Sequence, residues 1–175
     1  MAQNISQYNI NPDAFVVRDI MDEILANVVQ VFEDYNIPIP SRQYWTAGDP
    51  VWDCEQVVVT LLQLYYGTPG VESLQPVTVT SASPRSMVVN IAVCRNGAGA
   101  NTSKIPSPVT IQNDANWMAV DTWTIFDAIY RTNNTGGSLI IPGWPNGKLS
   151  IATSQIVNPD GNIITSSVTV TMVVP

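Results

Sequence analysis

The groups in this chain with the most obvious chemical use are two cysteines, Cys54 and Cys94, and the charged residues beside them. Arg95 follows Cys94, and a neighbouring guanidinium can hold a thiol as the nucleophilic thiolate. An arginine closing a strand beside a buried cysteine has the same spacing and no chemistry. Asp53 and Glu55 flank Cys54. Paired carboxylates can divide acid and base roles, but residues two apart on a strand point the same way. The pair therefore also fits a rim that faces solvent or a partner, the simpler expectation. A third cluster, Asp19, Asp22 and Glu23, is the best grouping of carboxylates for a metal. Its spacing also fits a solvated acidic band on a helix, again the simpler expectation.

The rest of the usual machinery is missing from the sequence. Histidine does not occur, which removes the commonest general base and the commonest zinc ligand together. Ser-His-Asp and Cys-His arrangements both fail for that reason. There is no P-loop and no GxSxG, and Gly97-Ala98-Gly99 lacks the third glycine and following helix of a dinucleotide turn. The expectation is a protein with no catalytic, cofactor-binding or metal-ligating residues, and no cofactor. Cys54 and Cys94 are 40 positions apart. That spacing leaves two buried thiols and a disulfide both open.

Charge narrows the partners. Seven basic and fourteen acidic residues leave a net charge of −7, and the basic ones stand alone along the chain. Tight phosphate binding needs clustered cations, so neither nucleic acid nor an anionic membrane is expected as a binding target. An acidic wall could still line a channel through which DNA slides without sticking. Charged residues are only 12% of the chain, about half of the roughly 25% usual for a soluble domain. The surface must then be Asn, Gln, Ser and Thr, or be covered by partners. The opening residues have neither the basic nor the apolar region of a signal peptide, and no apolar run is long enough to span a membrane.

The elements that must position these groups follow from spacing. Residues 1–12 read as a polar N-terminal arm, and 13–175 as a single domain. Asn11, Pro12 and Asp13 suit a helix start. Val17, Ile20, Ile24, Val28, Val31 and Tyr35 recur at steps of three and four, and Pro38 and Pro40 end the helix. Arg18, Asp19, Asp22 and Glu23 fall away from that stripe. The segment 42–56 holds Tyr44, Trp45 and Trp52, and Val57 onward runs apolar to a turn at Gly67, so it reads as a long strand. A short strand is expected at 77–80 and a central one at 87–94, with both cysteines on strands of one sheet. Residues 96–109, which include Lys104, read as a long loop. A second helix is expected from a cap at Asp114 to about Arg131. A short strand at 139–141 and two strands joined by a hairpin at Pro159-Asp160-Gly161-Asn162 close the chain, with Val168, Val170, Met172 and Val174 on one face. The fold class is α+β, with a mixed, mostly antiparallel sheet and two main helices packed on one face.

Five tryptophans occur, and Trp45 and Trp52 lie close together before the apolar run. Large aromatics serve interfaces and small cores alike. Trp45, Trp52, Asp53, Glu55 and Lys104 are the interface candidates; Asp19, Asp22 and Glu23 are the candidate acidic band.

Taken in order, these features resemble a family from long-tailed bacteriophages, especially phages of actinobacteria, described as head-to-tail connector or tail terminator proteins. The amphipathic first helix comes first. Trp52-Asp53-Cys54-Glu55-Gln56-Val57-Val58-Val59 matches a Trp-Asp-Cys segment leading into an apolar strand, and Val93-Cys94-Arg95 a strand ending in Cys-Arg. Asp114 through Tyr130, with Trp123-Thr124-Ile125-Phe126-Asp127-Ala128, matches a helix that opens with aspartate. Ser167 to Val174 matches a last strand of alternating valines. The similarity spans about residues 13–175, and the chain departs from the family in its Pro- and Asn-rich stretches at 96–113 and 133–147. The resemblance implies a tail-terminator-like fold and a homohexameric ring atop the tail tube. That ring would end tube polymerisation and offer the head a docking surface. Its partners would be further copies, the tail tube protein and head-to-tail connector proteins, with genomic DNA passing through the lumen unbound. Its place would be the neck of the virion, after assembly in the host cytoplasm. No catalytic or metal residue carries over. Two other functions fit the residues: another connector layer, stopper or adaptor, and a non-viral ligand-binding module that uses exposed tryptophans.

Overall fold

A computed structural model describes residues 13–67, 85–97, 106–134, 149–160 and 163–174, with side chains placed for 16–67, 85–97, 106–131 and 163–174. The arm at 1–12, the expected strands at 77–80 and 139–141, and Lys104 lie outside them. The elements run α1 (Asp13–Asp34), β1 (Arg42–Ala47), β2 (Gln56–Tyr66), β3 (Arg85–Asn96), α2 (Pro108–Asn134), β4 (Leu149–Asp160) and β5 (Ile163–Val174). The strands form one sheet in the order β1-β2-β3-β5-β4. β1 and β2 are parallel, and the other three neighbouring pairs are antiparallel. The fold is α+β, with a mixed, mostly antiparallel sheet.

α1 forms because its apolar stripe meets the sheet. Ile20, Ile24, Val28 and Val31 are buried, as the spacing predicts, together with Met21 and Phe32. Its C-terminus closes in a Schellman motif. Asn36 adopts a left-handed φ of 53°, its N–H donates to Glu33 O, and Ile37 N–H donates to Phe32 O. Ile37 then packs against the core beneath.

Both helices cover one face of the sheet. Met87, Val89, Ile91 and Val93 of β3 and Val168, Val170, Met172 and Val174 of β5 meet Ile125, Ala128 and Ile129 of α2 in a single core with α1. The expected alternation in β5 is therefore the pattern of one buried face. Much of the opposite face is buried too, although Val88, Asn90, Thr169 and Val173 are half-exposed on it. Val58, Ala92 and Cys94 are fully buried there, in a setting of small polar side chains such as Thr60, Ser86, Thr165 and Ser167. Thr169 Oγ1 donates to Asn90 Oδ1, its register partner. Thr60, the register partner of Asn90 on the other side, is 1% exposed and its hydroxyl has no hydrogen-bond partner among the described residues.

Three expectations are corrected. Residues 42–47, without an assigned element in the sequence reading, form the parallel edge strand β1. Cys54 is not on a strand: with Asp53 and Glu55 it lies in the bend that leads into β2, so Asp53 and Glu55 do not share a strand face. Cys94 is on β3 as expected. The second helix begins at Pro108, not at Asp114. Ser107 is its cap: the Thr110 N–H donates to Ser107 Oγ and the Ile111 N–H to Ser107 O, with proline at the first helical position, where no N–H is needed. No helix among the described residues is long and apolar enough to cross a membrane.

Candidate functional site

The connector between β1 and β2 holds three of the interface candidates, Trp52, Asp53 and Glu55. Parallel strands are usually joined by a dozen or more residues; here residues 48–55 suffice. Because β1 is short, the return path is about 20 Å, within the reach of an extended link of that length. Gly48 starts the return at φ 122°, a conformation a side chain would strain. Arg42 Nη1 pairs with Asp53 Oδ1 at 2.7 Å. Gln56 is fully buried, with its amide nitrogen donating to Val51 O and its oxygen accepting from Tyr44 OH. Glu55 Oε1 accepts the Asn96 N–H at 3.2 Å. Asp53 and Glu55 thus pin the connector to β1 and to the end of β3. Trp52 projects from it, 42% exposed.

Trp45 has a different role. It packs against the core, and its Nε1–H donates to Asp22 Oδ1 at 2.6 Å. The acidic band is thereby split among three jobs. Asp22 orients Trp45, Asp19 pairs with Arg18 at 2.7 Å, and Glu23 is half-buried, with burial pushing its carboxyl up.

The two thiols are both free. Burial pushes Cys94 up to about 11, against the pull of a hydrogen bond with Thr165 Oγ1 at 3.3 Å. Burial also raises Cys54, helped by its hydrogen bond with Asp53. A thiol held protonated is a poor nucleophile. Arg95 does not act on Cys94, because adjacent strand residues face opposite ways. Arg95 points toward the helices and makes a bidentate pair with Asp121, at 2.7 and 2.8 Å. Its Nη2 also donates to Pro38 O at 2.9 Å, and its guanidinium lies 4.5 Å from the Trp117 ring centroid. One arginine therefore joins β3, α2 and the segment after α1. Burial pushes the Asp121 carboxyl up, against the pull of Arg95.

Among the described residues no group of three or more His, Cys, Asp or Glu is placed to hold a metal. The most distinctive surface is apolar. An open groove of about 480 Å³ is lined by Tyr35, Ile37, Ala119, Val120, Trp123 and Thr124. Trp123 is 69% exposed at its edge, and Tyr35 and Tyr130 are exposed as well. The rim pairs two carboxylates with one guanidinium: Arg131 pairs with Asp34 and, at 2.8 Å, with Asp127, which also accepts from Tyr35 OH. At the other end of the molecule Leu62, Leu64 and Tyr66 of β2 are exposed. A shift in register between Leu61 and Gln63 turns Leu64 to the same face as Met87, beyond the cover of the helices.

Sequence reasoning marked Trp45 and Trp52 and missed the groove. Its walls come from residues more than 80 positions apart, so only the placement of Val120, Trp123 and Tyr130, three and then seven apart and off the buried stripe of α2, could have pointed to it. Compared with known proteins, the chain matches no family model and no curated relative.

Proposed function

We propose that this chain is a structural subunit of the neck of a long-tailed phage, forming a ring that caps the tail tube, ends its polymerisation and joins tail to head. The observation that carries this reading is the apolar groove beside Trp123: an aromatic-edged surface with an uncharged lining, of the kind found at protein interfaces. The second apolar patch, at Leu62, Leu64 and Tyr66, lies at the far end of β2. Exposed patches at two ends suit a subunit placed between two neighbours along an axis. The ordered resemblance of the sequence to tail terminators supplies the specific role.

Charge fits the same assignment. Six copies of a chain with net charge −7 carry about −42 together. Such charge opposes subunit contact unless it faces the lumen or the exterior. Asp19 on the exposed face of α1 is placed for either, and an acidic lumen lets DNA pass without binding.

The test is an amber stop at the codon for Trp52 in the parent genome. The expected lysate contains filled heads separate from tails of excess length. Complete virions with tails of normal length overturn the assignment.

A further inference from the structure

We propose that Cys54 and Cys94 form a redox lock: a peroxide joins them in a disulfide that ties the β1–β2 connector to β3. The lock does not depend on the neck assignment. Cys94 is the register partner of Gln56, the first residue of β2, and Cys54 stands two positions before Gln56. Cross-strand partners share a face, so Gln56 and Cys94 point to the same side of the sheet. Tyr44 is on that side too, and its hydroxyl donates to Gln56 Oε1. A thiolate at Cys54 would raise both the Tyr44 phenol and the Cys94 thiol. The two sulfurs and the phenol thus occupy one neighbourhood. The Asn96 N–H, which donates to Glu55 Oε1, holds the bend around Cys54 against the end of β3.

Continued back from Gln56, the ladder would set Cys54 opposite Asn96 and diagonal to Cys94. Diagonal neighbours have Cα atoms about 7–8 Å apart, and a disulfide takes roughly 4.4–6.8 Å. The bend at residues 53–55 supplies the remaining approach. It precedes the first β2–β3 pair, so no rung of that ladder has to break. Access differs between the thiols: Cys54 is half-buried and Cys94 fully buried. Peroxide therefore attacks Cys54 first, where one oxygen is added to give the sulfenic acid and the other leaves as water. Cys94 then gives up its proton and attacks the Cys54 sulfur. The S–S bond forms, the S–O bond breaks, and the departing hydroxide takes that proton as a second water. Two thiols and one peroxide become one disulfide and two waters. Burial holds both thiols protonated, so closure is slow. The connector carries the exposed Trp52, and the lock fixes that side chain's base to the sheet.

The test treats the full chain with hydrogen peroxide, alkylates it in urea with N-ethylmaleimide and digests it with trypsin. The expected product is a monomer lighter by about 2 Da, the two hydrogens lost. It should carry no alkylated cysteine, and residues 43–85 should be linked to 86–95. The thermal midpoint should rise by roughly 5–10 °C, because the link closes a loop of about 40 residues. Dithiothreitol should restore the original value. In Cys94→Ala no link can close, so peroxide should leave Cys54 as a sulfenic acid that dimedone traps, with no rise in midpoint. Two cysteines that both take up N-ethylmaleimide after prolonged peroxide overturn the lock. So does Cys54 oxidised beyond the sulfenic acid with Cys94 still free, or a link found only between two chains. Should Cys94→Ala misfold, the peptide map of the wild-type chain decides alone.

Discussion

Arg95 and Asp121 tie α2 to β3 through a buried ion pair. The pair is bidentate and buried, with side chains 8% and 2% exposed. Removing one partner of such a pair leaves an uncompensated charge, at a cost of about 3–5 kcal/mol. Asp121→Asn should lower the unfolding free energy by that order, read from urea denaturation, whereas Arg95→Met combined with Asp121→Leu should lose far less than the two single changes added together. Additive losses would mean that the pair is not coupled. Cys94 gives a second prediction. With its thiol held at about 11, roughly 0.1% is thiolate at pH 8. Iodoacetamide at that pH should modify Cys54 slowly and Cys94 only after unfolding. The linkage has a definite sign. A folded-state value above the unfolded one favours the fold below the unfolded value, roughly 8.5, and that contribution is lost as pH rises through about 11. Stability should therefore fall between those limits, and the fall should be smaller in Cys94→Ala. Thr60 gives a third: its buried hydroxyl has no partner among the described residues, so Thr60→Val should stabilise the chain by up to about 1 kcal/mol, read as a higher thermal midpoint.

At the scale of elements, legibility depended on whether the signal was local. α1, β3 and β5 carry their own periodicity and were readable from spacing. β1 was not, because Arg42–Ala47 has no alternation of its own; it is a strand through its parallel pairing with β2 and the pinned connector behind it. The start of α2 was hidden for another reason. Its first turns are Thr-, Gln- and Asn-rich and stand clear of the core, so they read as loop, although Ser107-Pro108 is a good capping signal. The same exposure hid the groove, since Tyr35 and Ile37 meet α2 only in the folded chain. The two tryptophans chosen from the sequence separated: Trp45 is structural and Trp52 is at the surface. The α1 terminus offers a direct check. Asn36 holds a left-handed conformation, so Asn36→Ala should cost about 1 kcal/mol, while Asn36→Gly should be neutral or slightly stabilising, measured by urea denaturation.

For the whole molecule, an acidic, low-charge chain with exposed apolar surfaces at two ends suits the proposed repeated association. The proposed role of these surfaces is to end a tube. Its most direct measurement is polymerisation of the cognate tail tube protein with and without the purified chain, with tube lengths counted by negative-stain electron microscopy. At about one ring of chain per tube end, elongation should stop, one ring should be visible at a single end, and Trp123→Asp should stop elongation poorly. Tubes that keep growing past saturating chain, with no density at either end, would contradict the account.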